Sequence, residues 1–141
     1  MNGITLKQAN AIAAAALAVA RAKDYKPMAV VVLDESGNVR ALQREDGASM
    51  FRVDIATGKA WASVAMGASS RALGDRAKDN PNFYGALAAS SHGKFLPQSG
   101  AVLIKNADGQ VLGAAGASGG SGDEDELICM AGIEAVGLRH G

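Results

Sequence analysis

The sequence predicts an α+β fold, with one mainly antiparallel sheet flanked by helices. Three observations lead there. Ala29-Val-Val-Val-Leu-Asp-Glu-Ser-Gly-Asn-Val39 lines up with Ala101-Val-Leu-Ile-Lys-Asn-Ala-Asp-Gly-Gln-Val111, so an apolar run, a polar turn and a glycine (Gly37, Gly109) occur twice. Each copy reads as a hairpin, and two such hairpins build a sheet around a central pair of apolar strands. The segments before and between them space their apolar residues at helical intervals. Finally, Gly113 to Asp125 begins as a small-residue strand, passes through Ser118-Gly-Gly-Ser-Gly122, and opens an acidic helix.

In chain order, Thr5-Leu-Lys-Gln8 is a capping box, and Leu6, Ala9, Ile12 or Ala13, Ala16 or Leu17, and Ala20 form the stripe of a first helix. Arg21 and Lys23 suit its negative end, and Lys26-Pro27 stops it. Met28 to Leu33 is an apolar run with three valines, the pattern of a strand buried on both faces. Asn38 to Arg44 returns as a more polar strand nearer an edge. Ser49 is placed to cap a helix carrying Phe51, Ile55, Ala62 and Met66 on one stripe, with Trp61 in core or interface. Ser70 to Lys78 makes a shorter helix, Asp79-Asn-Pro-Asn82 breaks it, and Phe83 to Ala89 adds another turn of helix. A last helix from about Asp123 to Leu138 buries Leu127, Ala131, Ala135 and Leu138.

Composition narrows the function. The 141 residues suit one domain, 1–141, with a single core. Lys plus Arg equals Asp plus Glu at 14 each, so no general attraction to nucleic acid or an anionic membrane is expected. Cys129 is the only cysteine, which excludes an intrachain disulfide and a thiolate metal cage; it reads as a buried, inert thiol. Ala11 to Ala20 imitates a secretion signal, but it is only weakly hydrophobic and has one basic residue ahead of it, Lys7. It reads as a structural helix, and the protein is expected to be cytoplasmic. With 18 glycines and 4% aromatics, the core must be built from small side chains, and association into a homo-oligomer of four or more subunits would compensate.

The Gly-dense turn is the strongest candidate site. Ser121 and Glu124 form a capping box that starts the helix near Gly122, and glycines there let a ligand approach the main chain. A phosphate is disfavoured, because Asp123, Glu124, Asp125 and Glu126 already occupy the positive end of the dipole and neither phosphate-loop spacing is present. Gly116-Ala-Ser118-Gly-Gly120 also matches the nucleophile-elbow pattern. Only His140 follows it, near the chain end and suited to the last carbonyls, so the match reads as coincidence. Elsewhere, Arg44-Glu-Asp46-Gly-Ala48 sits where a strand turns into a helix and is placed to rim a pocket. Lys59 lies in a small, apolar segment and reads first as a snorkelling side chain. His92 stands in a Ser/Gly-rich loop as a potential base or ligand.

Arg44-Glu-Asp-Gly-Ala48, Lys59-Ala60, Pro97 before the third strand, and Gly116-Ala-Ser-Gly-Gly-Ser-Gly-Asp-Glu-Asp125, in that order, resemble the GlcG/HbpS family. That family includes the C-terminal domain of PduO-type proteins and is often called haem-degrading or haem-binding. The resemblance spans nearly the whole chain. It implies a profilin-like or PAS-like fold, with a five-stranded antiparallel sheet flanked by helices, often in larger homo-oligomers. It also implies a small-molecule pocket. Asp46, Phe51, Lys59 and Pro97 would line that pocket together with the Ser118, Gly119 and Gly120 turn.

Haem-binding members use a histidine of the N-terminal helix as axial ligand, and residues 1–25 contain none. The usual Gly-Gly before the Pro is Phe95-Leu96 here. The resemblance therefore implies a repurposed pocket and leaves the cofactor open, with His92 or a methionine as the remaining haem ligands. Two functions stand side by side. One is a binding protein for haem or a related planar cofactor. The other is a cofactor-free isomerase, tautomerase or hydrolase using His92, Arg44 and Asp125, with Ser118–Gly120 amides as donors.

Overall fold

The computed structural model describes residues 3–141. Ten elements follow one another: α1 (Leu6–Ala22), β1 (Ala29–Asp34), β2 (Val39–Arg44), α2 (Phe51–Met66), α3 (Ser70–Asp79), α4 (Pro81–Ser90), β3 (Ala101–Lys105), β4 (Val111–Ser118), α5 (Gly122–Ala135) and β5 (Arg139–His140). The sheet is antiparallel throughout, in the order β2-β1-β4-β3-β5, which bears out the expected five-stranded α+β architecture.

The duplicated segments fold as the same hairpin. In the first, Asp34 Oδ1 accepts from the amides of Ser36 and Asn38 at 2.9 and 3.0 Å. In the second, Asn106 Oδ1 accepts from Asp108 and Gln110 at 3.0 and 2.9 Å. Gly37 and Gly109 both take φ of +80°, and the register slips at corresponding places, after Val32 and after Ile104. A side-chain oxygen that binds two following amides holds such a turn without help from the rest of the fold. One expectation fails: the apolar strands β1 and β3 do not form the central pair. The small-residue strand β4 lies between them, pairing with both.

Strand alternation sends side chains to two layers. Val30, Val32, Val102, Ile104, Ala115 and Ala117 meet α1 and α5, while Val31, Leu33, Ala101, Leu103 and Ala114 meet Ala56 and Ala60 of α2. Leu73, Tyr84 and Phe95 pack behind α2 against Ala62 in a smaller cluster, and Trp61 bridges the two. The layers approach closely because the contacts are small. A Cβ on Gly116 of β4 would stand 2.5 Å from the Ala56 carbonyl of α2, and one on Gly132 of α5 would stand 2.5 Å from the Ile12 carbonyl of α1.

Both capping boxes form as read, at Thr5–Gln8 and Ser121–Glu124. Four helical readings need correction. Leu6 is exposed, and α1 buries Ala9, Ile12, Ala13, Ala16 and Ala20. Ser49 does not cap α2; its N-cap is Met50, with no side-chain bond. Phe51 and Met66 are exposed, and α2 buries Ala56, Gly58, Lys59, Ala60, Ala62 and Ser63 instead. The close sheet contact selects the small face of this helix and turns the bulky one outward. The last helix ends at Ala135 and buries Asp125, Ile128, Cys129, Gly132 and Ile133, leaving Ala135 exposed and Leu127, Ala131 and Leu138 only partly buried. His140 then joins the edge strand β5, with Nε2 2.8 Å from Glu134 Oε1, rather than capping the helix.

Two alanine substitutions separate close approach from helix propensity. Gly116→Ala should destabilise by about 1–3 kcal/mol, since the added methyl meets the α2 backbone. Gly85→Ala, within α4 with nothing within 4 Å of the new Cβ, should stabilise by about 0.5–1 kcal/mol. Urea melts of the two variants should move in opposite directions.

Candidate functional site: a buried ion pair beneath a hollow

Lys59 leaves the middle of α2 flanked by Gly58 and Ala60 and runs toward the end of β4. Its Nζ donates to the Ala117 carbonyl at 3.1 Å and to Asp125 Oδ2 at 3.1 Å. The second carboxylate oxygen, Oδ1, accepts from the Gly120 amide at 3.0 Å. Both residues are nearly out of water, Lys59 at 5% and Asp125 at 2% exposure, so Lys59 is not the snorkelling side chain expected. The pair crosses the end of the sheet and joins helices on its opposite faces. Gly100, just before β3, makes room: a Cβ there would stand 2.6 Å from Lys59 Nζ and 3.1 Å from Asp125 Cβ.

Burial raises the Asp125 carboxyl above its ordinary range, and it outweighs Lys59 and the Gly120 amide, which pull the other way. Burial also pushes the Cys129 thiol up, in keeping with an inert sulfur. Gly119 is held against the start of β1, where a Cβ would meet the Pro27 carbonyl and stand 2.9 Å from Met28 Cα. That contact fixes the Gly120 amide over Asp125.

The pair is the floor of a hollow of about 450 Å³, walled by Arg52, Ile55, Ser99, Ser118, Gly122 and Asp123. Arg52, Ile55 and Lys59 share one face of α2 by their spacing of three and four. Arg52 Nη1 approaches Ser118 Oγ at 3.4 Å. The charge at the acidic start of α5 is partly offset: Arg71 of α3 pairs with Asp123 and, at 3.1 Å, with Glu126, while Glu124 accepts from the Ser121 amide. The four carboxylates are thus held by specific partners, in addition to favouring the helix dipole.

The residues singled out from sequence are dispersed. Lys59, Ser118, Gly120 and Asp125 meet at this hollow, with Gly119 beneath the turn. Arg44 and Asp46 line a second hollow of about 510 Å³ with Arg21 and Glu45, and Arg44 Nη1 donates to the Ala48 carbonyl at 2.6 Å. His92 lines a third, of about 340 Å³, with Trp61, Asp54 and Lys94. Pro97 borders a fourth beside Arg71, and Phe51 is 63% exposed. Arg52 was missed. Its signal was a second basic residue seven positions before Lys59, on the same face of a helix otherwise rich in small residues.

Removing Lys59 should expose the cost of a lone buried carboxylate. Lys59→Met should lose about 3–5 kcal/mol at neutral pH, and Lys59→Met/Asp125→Leu should recover most of it. In the single variant the folded Asp125 pKa rises further above its unfolded value. The deficit should therefore be smallest in acid, below the unfolded carboxyl pKa, and should grow as pH rises through the folded one. Urea melts between about pH 4 and pH 8 would show this slope, and a flat deficit would exclude Asp125 as its source.

Comparison with known proteins agrees with the fold. The solved PduOC–haem complex superposes with a TM-score of 0.86 at 26% identity, covering 96% of each chain. A double mutant of HbpS from Streptomyces reticuli gives 0.82 at 28% identity, over 96% of this chain and 88% of that one. The corrinoid adenosyltransferase PduO of Salmonella typhimurium is 30% identical over 122 residues, which are 86% of this chain but only 36% of that protein. A 15.0 kDa protein from the dhaT-dhaS intergenic region of Citrobacter freundii is 27% identical over 91% of this chain and 85% of its own length. The family described as haem-degrading protein HbpS-like matches residues 4–134, and the chain belongs to that family.

Proposed function

We propose that this protein binds a small molecule in the hollow over the Ser118–Gly120 turn, in the cytoplasm, with the Lys59–Asp125 pair as the floor of the site. The observation that carries this reading is the pair itself. A buried ion pair contributes little net stability compared with apolar packing, so its position under an open, polar hollow is better explained by a ligand than by folding. The size of the hollow suits a small ligand.

Haem is bound by a solved relative, but the residues here fit it poorly. The hollow offers Arg52, Lys59, Ser118 and Asp125, none of them a usual haem ligand, and α1 carries no histidine. His92 lies in a separate hollow, on an exposed loop at φ +58°. The enzymatic alternative is less favoured. His92, Arg44 and Asp125 line three different hollows, and both Asp125 oxygens already accept hydrogen bonds.

Hemin titrated into the purified protein should therefore bind weakly, and any histidine-ligated Soret band should vanish in His92→Ala. A tight stoichiometric complex that survives His92→Ala would overturn this view of haem. Binding of any small molecule should perturb the backbone amides of Ser118 to Gly122 in a nitrogen–proton correlation spectrum, and a ligand that leaves them unmoved would place the site elsewhere.

The same reading includes a homo-oligomer of four or more subunits. Met50 at 81% exposure, Phe51 at 63%, and the exposed Val39 and Leu42 of edge strand β2 leave apolar surface suited to association. Light scattering should return at least four times the chain mass at micromolar concentration, and a monomer mass would reject the assembly.

A further inference from the structure

Resting on the reading that the hollow over Ser118 binds a small molecule, we infer that the ligand is a small organic acid, its carboxylate held by Arg52 and the Ser118 hydroxyl above Lys59.

The charges single out Arg52. Arg21 is paired with Glu45, Arg71 with Asp123 and Glu126, and Arg44 is bound to the Ala48 carbonyl. Arg40, Arg76 and Arg139 are exposed to water. Arg52 is half-buried, lines a hollow, and pairs with no carboxylate among the described residues; its single polar contact is the long one to Ser118 Oγ. A guanidinium has five N–H donors, and only one of them makes a contact within the protein, so the others are left for water or a ligand. Lys59 spends two of its three donors, on Ala117 and Asp125, and the third is left.

Pairing favours a ligand of low charge. Asp125 is paired with Lys59, and Arg71 is shared between Asp123 and Glu126, so Arg52 is the one cation lining the hollow with no carboxylate at ion-pair distance among the described residues. A single carboxylate can pair with it, whereas a phosphate dianion would set a second negative charge against Asp123 and Asp125. The planar guanidinium fork also matches a carboxylate in bidentate geometry. Ile55, one turn along α2, offers an apolar wall to the carbon skeleton.

The test is a titration of isotope-labelled protein with butyrate, benzoate and succinate, set against butyramide, benzamide and inorganic phosphate at equal ionic strength. At least one carboxylate should shift the Ser118–Gly122 amides saturably while its amide counterpart does not. Arg52→Gln should weaken that binding by about tenfold or more, the loss of a charged hydrogen-bonding partner, and Arg52→Lys should fall between. Unchanged resonances outside the hollow would verify the fold of each variant, and Ser118→Ala, expected to weaken binding less, serves if Arg52→Gln does not fold. Equal binding by Arg52→Gln, equal binding of the neutral amides, or binding of phosphate alone would overturn the organic-acid assignment while leaving the binding site intact. If no compound of any class, hemin included, moves these amides, the binding reading itself fails.

Discussion

The ion pair between Lys59 and Asp125 is the constraint on which the site depends. Two charges at 3.1 Å, both almost wholly buried, are tolerable only when their remaining hydrogen-bonding capacity is met. The Ala117 carbonyl and the Gly120 amide supply that, and both belong to the end of β4 and the turn that follows. The pair therefore dictates the path of the main chain from Ala117 to Gly120. It also fixes where α5 begins relative to α2, although the two helices cover opposite faces of the sheet. The glycines of the turn follow from this geometry: Gly100 leaves space for the ammonium, and Gly119 lets the chain lie against Pro27.

The same economy of size runs through the core. The helix α2 presents alanine and glycine to the sheet, and the bulk comes from the valines, leucines and isoleucine of β1 and β3, joined on the other face by Ile12 of α1 and Ile128 and Ile133 of α5. Thin contacts bring α2 close enough for its lysine to reach across the sheet end. They also turn Phe51 and Met66 away from the core, because a large side chain cannot enter a layer already closed by Gly116. The exposed Phe51 and Met66 of α2 are thus a consequence of the packing that builds the site.

Membership of the HbpS-like family does not by itself assign a ligand. The groups gathered at the hollow are a guanidinium, an ammonium, a hydroxyl and a carboxylate, which recognise charge and hydrogen bonding rather than iron. The two histidines stand apart from it, His92 beside Trp61 and His140 on the edge strand.

What the sequence determined by itself was local. The two turns at Asp34 and Asn106 close through bonds spanning at most four residues, and the capping boxes span three, so both were legible as strings of residue types. The Ser-Gly-Gly turn and its acidic helix were legible for the same reason, as was the five-stranded architecture once the resemblance was seen. Tertiary structure decided the rest. Placing β4 between β1 and β3, choosing the small face of α2, and burying Ile128 and Ile133 rather than Leu127 and Leu138 all depend on which surfaces meet. Lys59 and Asp125 are 66 residues apart, as are Arg52 and Ser118, and no local pattern pairs residues at that distance. Only the closed sheet end, with its layers drawn together by glycine and alanine, brings those four side chains to one hollow.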